Sequence, residues 1–196
     1  MGEAARHAIE KCGPIDILIH NGGISQRSLV VDTRLEVDRR IMEVNFFGAI
    51  ALTKLALPSM LSRQSGHIVV ISSVMGKFGT PFRSSYAASK HALHGFFESL
   101  RAELWEQGIR VTMICPGFVR TNISINALKG DGSTFGSMDA AQASGMDPEV
   151  CAEKILRAIE AERNEVYMGG KEKLGDYLQR FVPDLFALII RKAKVR

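Results

Sequence analysis

Cysteine is scarce: the 196 residues hold three, Cys12, Cys115 and Cys151, with no CxxC pair and no Cys/His ligand spacing. That scarcity argues against a disulfide scaffold, predicts reduced thiols in a cytosolic setting, and gives no sign of a structural metal. Long apolar runs are missing too. The longest candidate, Leu185–Ile190 with its flanks, falls far short of the roughly 20 residues that span a bilayer. No signal or transit peptide opens the chain. An excess of one charge is also lacking in the body. The net charge of +4 is matched by Arg191, Lys192, Lys194 and Arg196 at the C-terminal end, so no basic stripe for nucleic acid remains. A short apolar stretch beside that basic tail suits a segment docked on the body or on a partner subunit. Contact of the tail with a membrane surface is the second reading. The expected location is cytoplasmic, with membrane association through the tail as the variant.

The length fits one domain, residues 1–196, with a sizeable core. No repeat, low-complexity stretch or linker divides it. After a helical pattern over Met1–Lys11, apolar runs rich in β-branched residues alternate with helical patterns. The runs are Ile15–His20, His67–Ser72, Arg110–Cys115 and Glu165–Met168. They are continuously apolar, which predicts parallel strands covered on both faces. The first crossover helix is predicted to begin near Asp32 or Thr33, with Val37, Ile41, Val44, Gly48, Ala51 and Leu55 on one stripe. The second begins near Ser84 and Ser85, with Tyr86, Lys90, Leu93, Phe97, Leu100 and Leu104 on one face. The third starts at Asp147-Pro148-Glu149 and carries Val150, Ile155 and Ile159 inward. Between Gly117 and Gly145 lies a long glycine-rich segment with little periodicity. A loop that long in a compact domain is functional or mobile, and Phe118–Met146 is expected to order over an apolar ligand. The series βαβαβ predicts an α/β fold with a doubly wound parallel sheet. No G-x-G-x-x-G or G-x-x-x-G-x-G precedes a helix.

Tyr86 and Lys90 sit one turn apart on an otherwise apolar stripe. Burying an ammonium there is costly unless something uses it. A cation beside a phenol favours phenolate, so Tyr86 is expected to titrate below its usual value of about 10 and to pass protons to a carbonyl oxygen. With three tyrosines and ten lysines, Y-x-x-x-K arises by chance about 0.15 times in such a chain, so the pair alone is weak. A snorkelling lysine beside a half-buried tyrosine is the bland alternative. Ser73, thirteen residues before Tyr86, lies just beyond a strand, where ligands bind in open α/β sheets and where a hydroxyl can meet a developing alkoxide. Asn45 is a poor helix-interior residue and needs a partner. Asn21-Gly22-Gly23 and Pro116-Gly117 follow strands and allow close backbone approach to a ligand, or simply make turns.

Taken together, Asn21-Gly22-Gly23, Asn45, Ser73, Tyr86, Lys90 and Pro116-Gly117-x-Val119-x-Thr121 resemble the short-chain dehydrogenase/reductase family. The stretch Gly66–Leu104 is most similar to its 11β-hydroxysteroid dehydrogenase-like branch. The resemblance runs from Met1 to about Tyr167. It implies a Rossmann-type sheet and an oxidoreductase that interconverts an apolar ketone or aldehyde and its alcohol by hydride transfer with NADP or NAD, the branch favouring NADP. It implies Tyr86 as general acid/base, Lys90 lowering its pKa and holding the nicotinamide ribose, Ser73 orienting the carbonyl, and Asn45 holding a relay water. It further implies cofactor contacts at Asn21, Gly22, Gly23, Ile71, Ser72, Tyr86, Lys90, Pro116, Gly117, Val119 and Thr121, and a homo-oligomer. The family's usual Asn-Asn-Ala-Gly stands here as His20-Asn21-Gly22-Gly23. The family's glycine-rich turn would lie ahead of Met1, so the expected fold is an N-terminally truncated one. The alternative is a non-catalytic truncated isoform or fragment that retains only a dimerisation surface. Met75, Phe78, Phe82, Phe118, Ile123, Ile125 and Phe135 are the expected apolar pocket residues.

Overall fold

The computed structural model describes residues 11, 13–170 and 172–192; all of the Met1–Lys11 helical pattern but Lys11, and the last four residues of the basic tail, lie outside them. Four parallel strands form one sheet in the order β1 (Ile17–His20), β2 (Gly66–Ile71), β3 (Ile109–Pro116), β4 (Glu165–Met168). Register runs Ile17 to His67, Val69 to Thr112 and Cys115 to Tyr167. The helices are α1 (Leu35–Met42), α2 (Gly48–Arg63), α3 (Ser84–Glu103), α4 (Pro148–Glu160), α5 (Glu172–Phe181) and α6 (Pro183–Ile190). A single helical turn, Ala140–Ala143, precedes α4.

Side chains alternate across the sheet. Ile68, Val70, Val111 and Met113 point to one face, against Met60 of α2 and Leu93, Phe97 and Leu100 of α3. Val69 and Ile114 point to the other, against Cys151 and Ala158 of α4. The central strands are thus covered on both faces, which is why they read as unbroken apolar runs. Strand β1 departs from that expectation. Leu18 packs on the first core, but Ile17 and Ile19 stay 50% and 47% exposed, because α4 covers only the β3–β4 half of the second face.

The face predicted for α3 holds throughout: Tyr86, Lys90, Leu93, Phe97, Leu100 and Leu104 are all buried. The face predicted for the first crossover does not. A π-helical turn, Glu43–Phe47, joins α1 to α2, and its extra residue per turn rotates the buried stripe. Burial passes from Ile41 to Asn45, Ala49, Thr53, Ala56 and Met60, leaving Val44 39% exposed. The continuous helical run Leu35–Arg63 is, at 29 residues, long and apolar enough to cross a membrane by length and composition, contrary to the expectation from strictly apolar runs. In the fold, much of that apolar length is seated against the sheet. Helix α4 starts as predicted, the Asp147 carboxylate accepting from the Glu149 amide at 2.9 Å, but Cys151 rather than Val150 turns inward.

The long segment after Gly117 is packed down. Arg27 N–H donates to Leu128 O at 2.8 Å, Met146 N–H to Phe118 O at 2.8 Å, and Arg120 N–H to Met146 O at 2.9 Å. Ser124, Ala127, Leu128 and Gln142 are buried. The C-terminal helices dock on the body through Phe186, whose ring meets Phe78 at 5.2 Å, while Phe181 and Leu188 remain exposed.

Candidate active site

The carboxyl ends of β2 and β3 open into a cavity of about 1240 Å³. In a parallel sheet this is where backbone groups and loops converge on a ligand. Ser73, Tyr86 and Lys90 all line it. Ser73 follows β2 and caps a 3₁₀ turn, Val74–Gly76, its hydroxyl accepting from the Met75 amide at 3.1 Å. Tyr86 enters from the first turn of α3 and is buried. The Lys90 ammonium donates to the Ile71 carbonyl at 2.8 Å and lies 5.7 Å from the Tyr86 ring centroid.

Charge in this site differs from the expectation in one respect. Burial raises Tyr86 above its ordinary range; a hydrogen bond with Ser73 and the charges of Arg83 and Arg27 only oppose that. Lys90 does not pull the phenol down, because its ammonium is turned to a strand carbonyl and is itself lowered by burial to about 8. Tyr86 is therefore a neutral phenol at neutral pH.

Asn45 finds its partners. Its carbonyl oxygen accepts from the Ile24 amide at 2.8 Å, and its amide donates to Ile24 O and Ser89 Oγ, each at 2.9 Å. It does not line the cavity but clamps the chain after β1 to α3 at Ser89, the residue next to Lys90. Asn21, Gly23, Ile71, Ser72, Pro116, Gly117, Val119 and Thr121 line the cavity. Gly22 does not; it faces open space. Ser72 donates to the Lys90 carbonyl at 3.4 Å.

Of the expected apolar residues, Met75, Phe78, Phe118 and Ile123 line the cavity. Phe82, Ile125 and Phe135 do not; Leu174, Leu178, Phe186 and Ile190 from α5 and α6 take that part. The C-terminal apolar stretch thus forms a wall of the site. Phe82 instead adopts a left-handed backbone, φ +67°, a costly conformation held just before Arg83 enters the cavity wall.

Sequence reasoning missed a buried ionic knot in that wall. Asp139 Oδ2 accepts from Arg27 Nε at 2.8 Å, Arg27 Nη2 at 2.5 Å and Arg83 Nη2 at 3.1 Å. Burial lowers Arg83 to about 10. Both arginines line the cavity. Gln26, fully buried, accepts from the Ser85 amide at 2.8 Å and so caps α3. The sequence signal was the polar run Ser25–Ser28, a few residues beyond β1.

The nicotinamide end of a dinucleotide fits this cavity. Lys90 offers a buried donor beside Gly23, where a Cβ would lie 3.7 Å from Lys90 Nζ and in ordinary contact with Asn45 Oδ1 at 3.4 Å.

The short chain dehydrogenase family model matches residues 1–131, and the chain belongs to that family. It is 47% identical to dehydrogenase/reductase SDR family member 7B of Xenopus laevis, over 98% of this chain and 60% of that protein. The Bos taurus protein of the same name is 47% identical over 93% of this chain and 57% of its own length. The chain thus spans about 60% of the length of these curated relatives. Among solved structures, a short-chain dehydrogenase from Streptomyces avermitilis superposes with TM-score 0.77 at 27% identity, covering 97% of this chain and 73% of that one. One from Burkholderia cenocepacia, in complex with NADP, superposes with TM-score 0.81 at 24% identity, covering 98% and 76%, and shares the fold.

Proposed function

We propose that this chain carries the proton-transfer and substrate-binding part of an NADP- or NAD-dependent oxidoreductase that interconverts an apolar ketone or aldehyde and its alcohol. The observation that carries the reading is the convergence of Ser73, Tyr86 and Lys90 on one large, mainly apolar-walled cavity. The bound nicotinamide supplies or accepts the hydride. Tyr86, a neutral phenol raised by burial, gives its proton to the carbonyl oxygen in reduction. Ser73 orients that oxygen through its hydroxyl. Lys90 and the backbone near Val119 and Thr121 hold the nicotinamide and its ribose, and Asn45 keeps α3 in place behind them. NADP is favoured over NAD by the family branch alone. The apolar substrate class rests on Met75, Phe78, Phe118, Ile123 and Phe186 in the wall.

The test is turnover of an apolar ketone at saturating NADPH. Tyr86→Phe keeps the ring and removes the proton, and the expected loss is on the order of 10² to 10⁴ in turnover. Equal turnover in the variant removes Tyr86 from the chemistry. No turnover in either chain favours the non-catalytic reading.

A further inference from the structure

Behind the active site lies a second convergence of reactive side chains that the oxidoreductase reading does not use. Helix α3 supplies His94, one turn past Lys90; β3 supplies Cys115; β4 supplies Glu165. Each offers one ligand atom, and these atoms all lie within 4.8 Å of one another. We propose that His94, Cys115 and Glu165 form a tetrahedral zinc site that ties α3 to strands β3 and β4.

The spacing carries the proposal. Cys115 Sγ stands 3.6 Å from His94 Nε2 and 3.5 Å from Glu165 Oε1. A tetrahedral zinc with Zn–S of about 2.3 Å and Zn–N or Zn–O of about 2.1 Å separates sulfur from either partner by about 3.6 Å. Two of the three ligand edges are therefore already at coordination length, and the third, His94 to Glu165, lies within 4.8 Å. Nitrogen, thiolate and carboxylate together suit zinc. His94 is oriented as metal-binding histidines are: Nδ1 is bonded to the Glu98 carboxylate at 3.2 Å, which turns Nε2 to the site.

The rival occupant is the Lys77 ammonium, 2.9 Å from Glu165 Oε1 and 3.7 Å from Glu98 Oε1. Zinc with one thiolate and one carboxylate is neutral, so when zinc takes Glu165, Lys77 keeps Glu98 as its partner and no charge is stranded. On coordination the Cys115 thiol proton leaves to water. Water completes the fourth vertex. Of the three ligands, Glu165 also lines a separate cavity of about 330 Å³ with Tyr167, Lys173 and Tyr177, which shares no lining residue with the larger one.

Cobalt(II), titrated into the chain as a spectroscopic stand-in for zinc, tests the site. The expected result is a near-ultraviolet thiolate-to-cobalt band with tetrahedral visible bands, both erased by stoichiometric zinc. Cys115→Ser removes the thiolate band, whereas Cys12→Ser and Cys151→Ser keep it. His94→Gln and Glu165→Gln, read by zinc competition, weaken affinity more than tenfold, and Glu98→Gln weakens it about 10- to 100-fold through the histidine. Zinc raises the melting temperature of the parent chain and not that of Cys115→Ser. Absence of a thiolate band, its survival in Cys115→Ser, or an octahedral spectrum overturns the proposal.

Discussion

Asp139→Asn is the substitution with the largest expected cost per atom changed. Asparagine keeps the shape of the side chain and removes only its charge. The carboxylate is 1% exposed, as is the Arg27 side chain, and Arg83 is 6% exposed, so water cannot replace what is lost. Without it, two guanidiniums face each other in a buried wall, and Arg83 is already lowered by burial and by Arg27. Removing one partner of a buried ion pair costs about 3–5 kcal/mol. For a chain of this size, each kcal/mol moves the midpoint by about 2–4 °C, so thermal unfolding should fall by roughly 6–20 °C. Urea unfolding at pH 7 gives the free energy directly. Adding Arg27→Met to Asp139→Asn should recover part of the loss, because it removes the stranded like charge, and a double-mutant cycle reads that coupling. A loss below about 1 kcal/mol in Asp139→Asn would refute the reasoning and mean that the knot is solvated or rearranges freely.

The other predictions are briefer. Ser73→Ala should reduce turnover strongly and Ser72→Ala mildly, since Ser73 caps the turn beside the phenol while Ser72 donates to the Lys90 carbonyl; equal kinetic effects would unseat Ser73. Only nicotinamide-end contacts are identified among the described residues, so NADPH and reduced nicotinamide mononucleotide should bind this chain within about tenfold of each other, or about 1.4 kcal/mol; calorimetric titration with NADPH much tighter would reveal a pyrophosphate anchor. His20, lowered by burial to about 4, is neutral in the fold, where it bonds Thr53 at 2.8 Å. The unfolded chain takes up its proton near pH 6.5 and the folded chain only near 4, so stability is complete above pH 6.5. It falls by on the order of 3 kcal/mol as pH drops through that window. His20→Gln should flatten this part of the urea-measured profile.

Much of this was legible from residue order alone. Strands β2 and β3 and helix α3 follow local patterns, because a strand covered on both faces is mostly apolar and a helix repeats its buried face every three to four residues. Asp147-Pro148 marked the start of α4 because capping is a matter of adjacent residues. Ser73, Tyr86 and Lys90 were legible as a set for the same reason: all three lie within one strand–helix unit. Other features needed the tertiary structure. A single π-helical turn rotated the face of α2, and nothing in the apolar spacing distinguishes that turn from its neighbours. Arg27, Arg83 and Asp139 meet across more than a hundred residues of chain, and His94, Cys115 and Glu165 come from three different elements. Whether the Lys90 ammonium acts on Tyr86 or donates to the Ile71 carbonyl was decided by where a flexible ammonium finds its acceptor once both are buried. Sequence encodes contacts between neighbours along the chain; these pairings exist only after the sheet brings distant segments within a few ångströms.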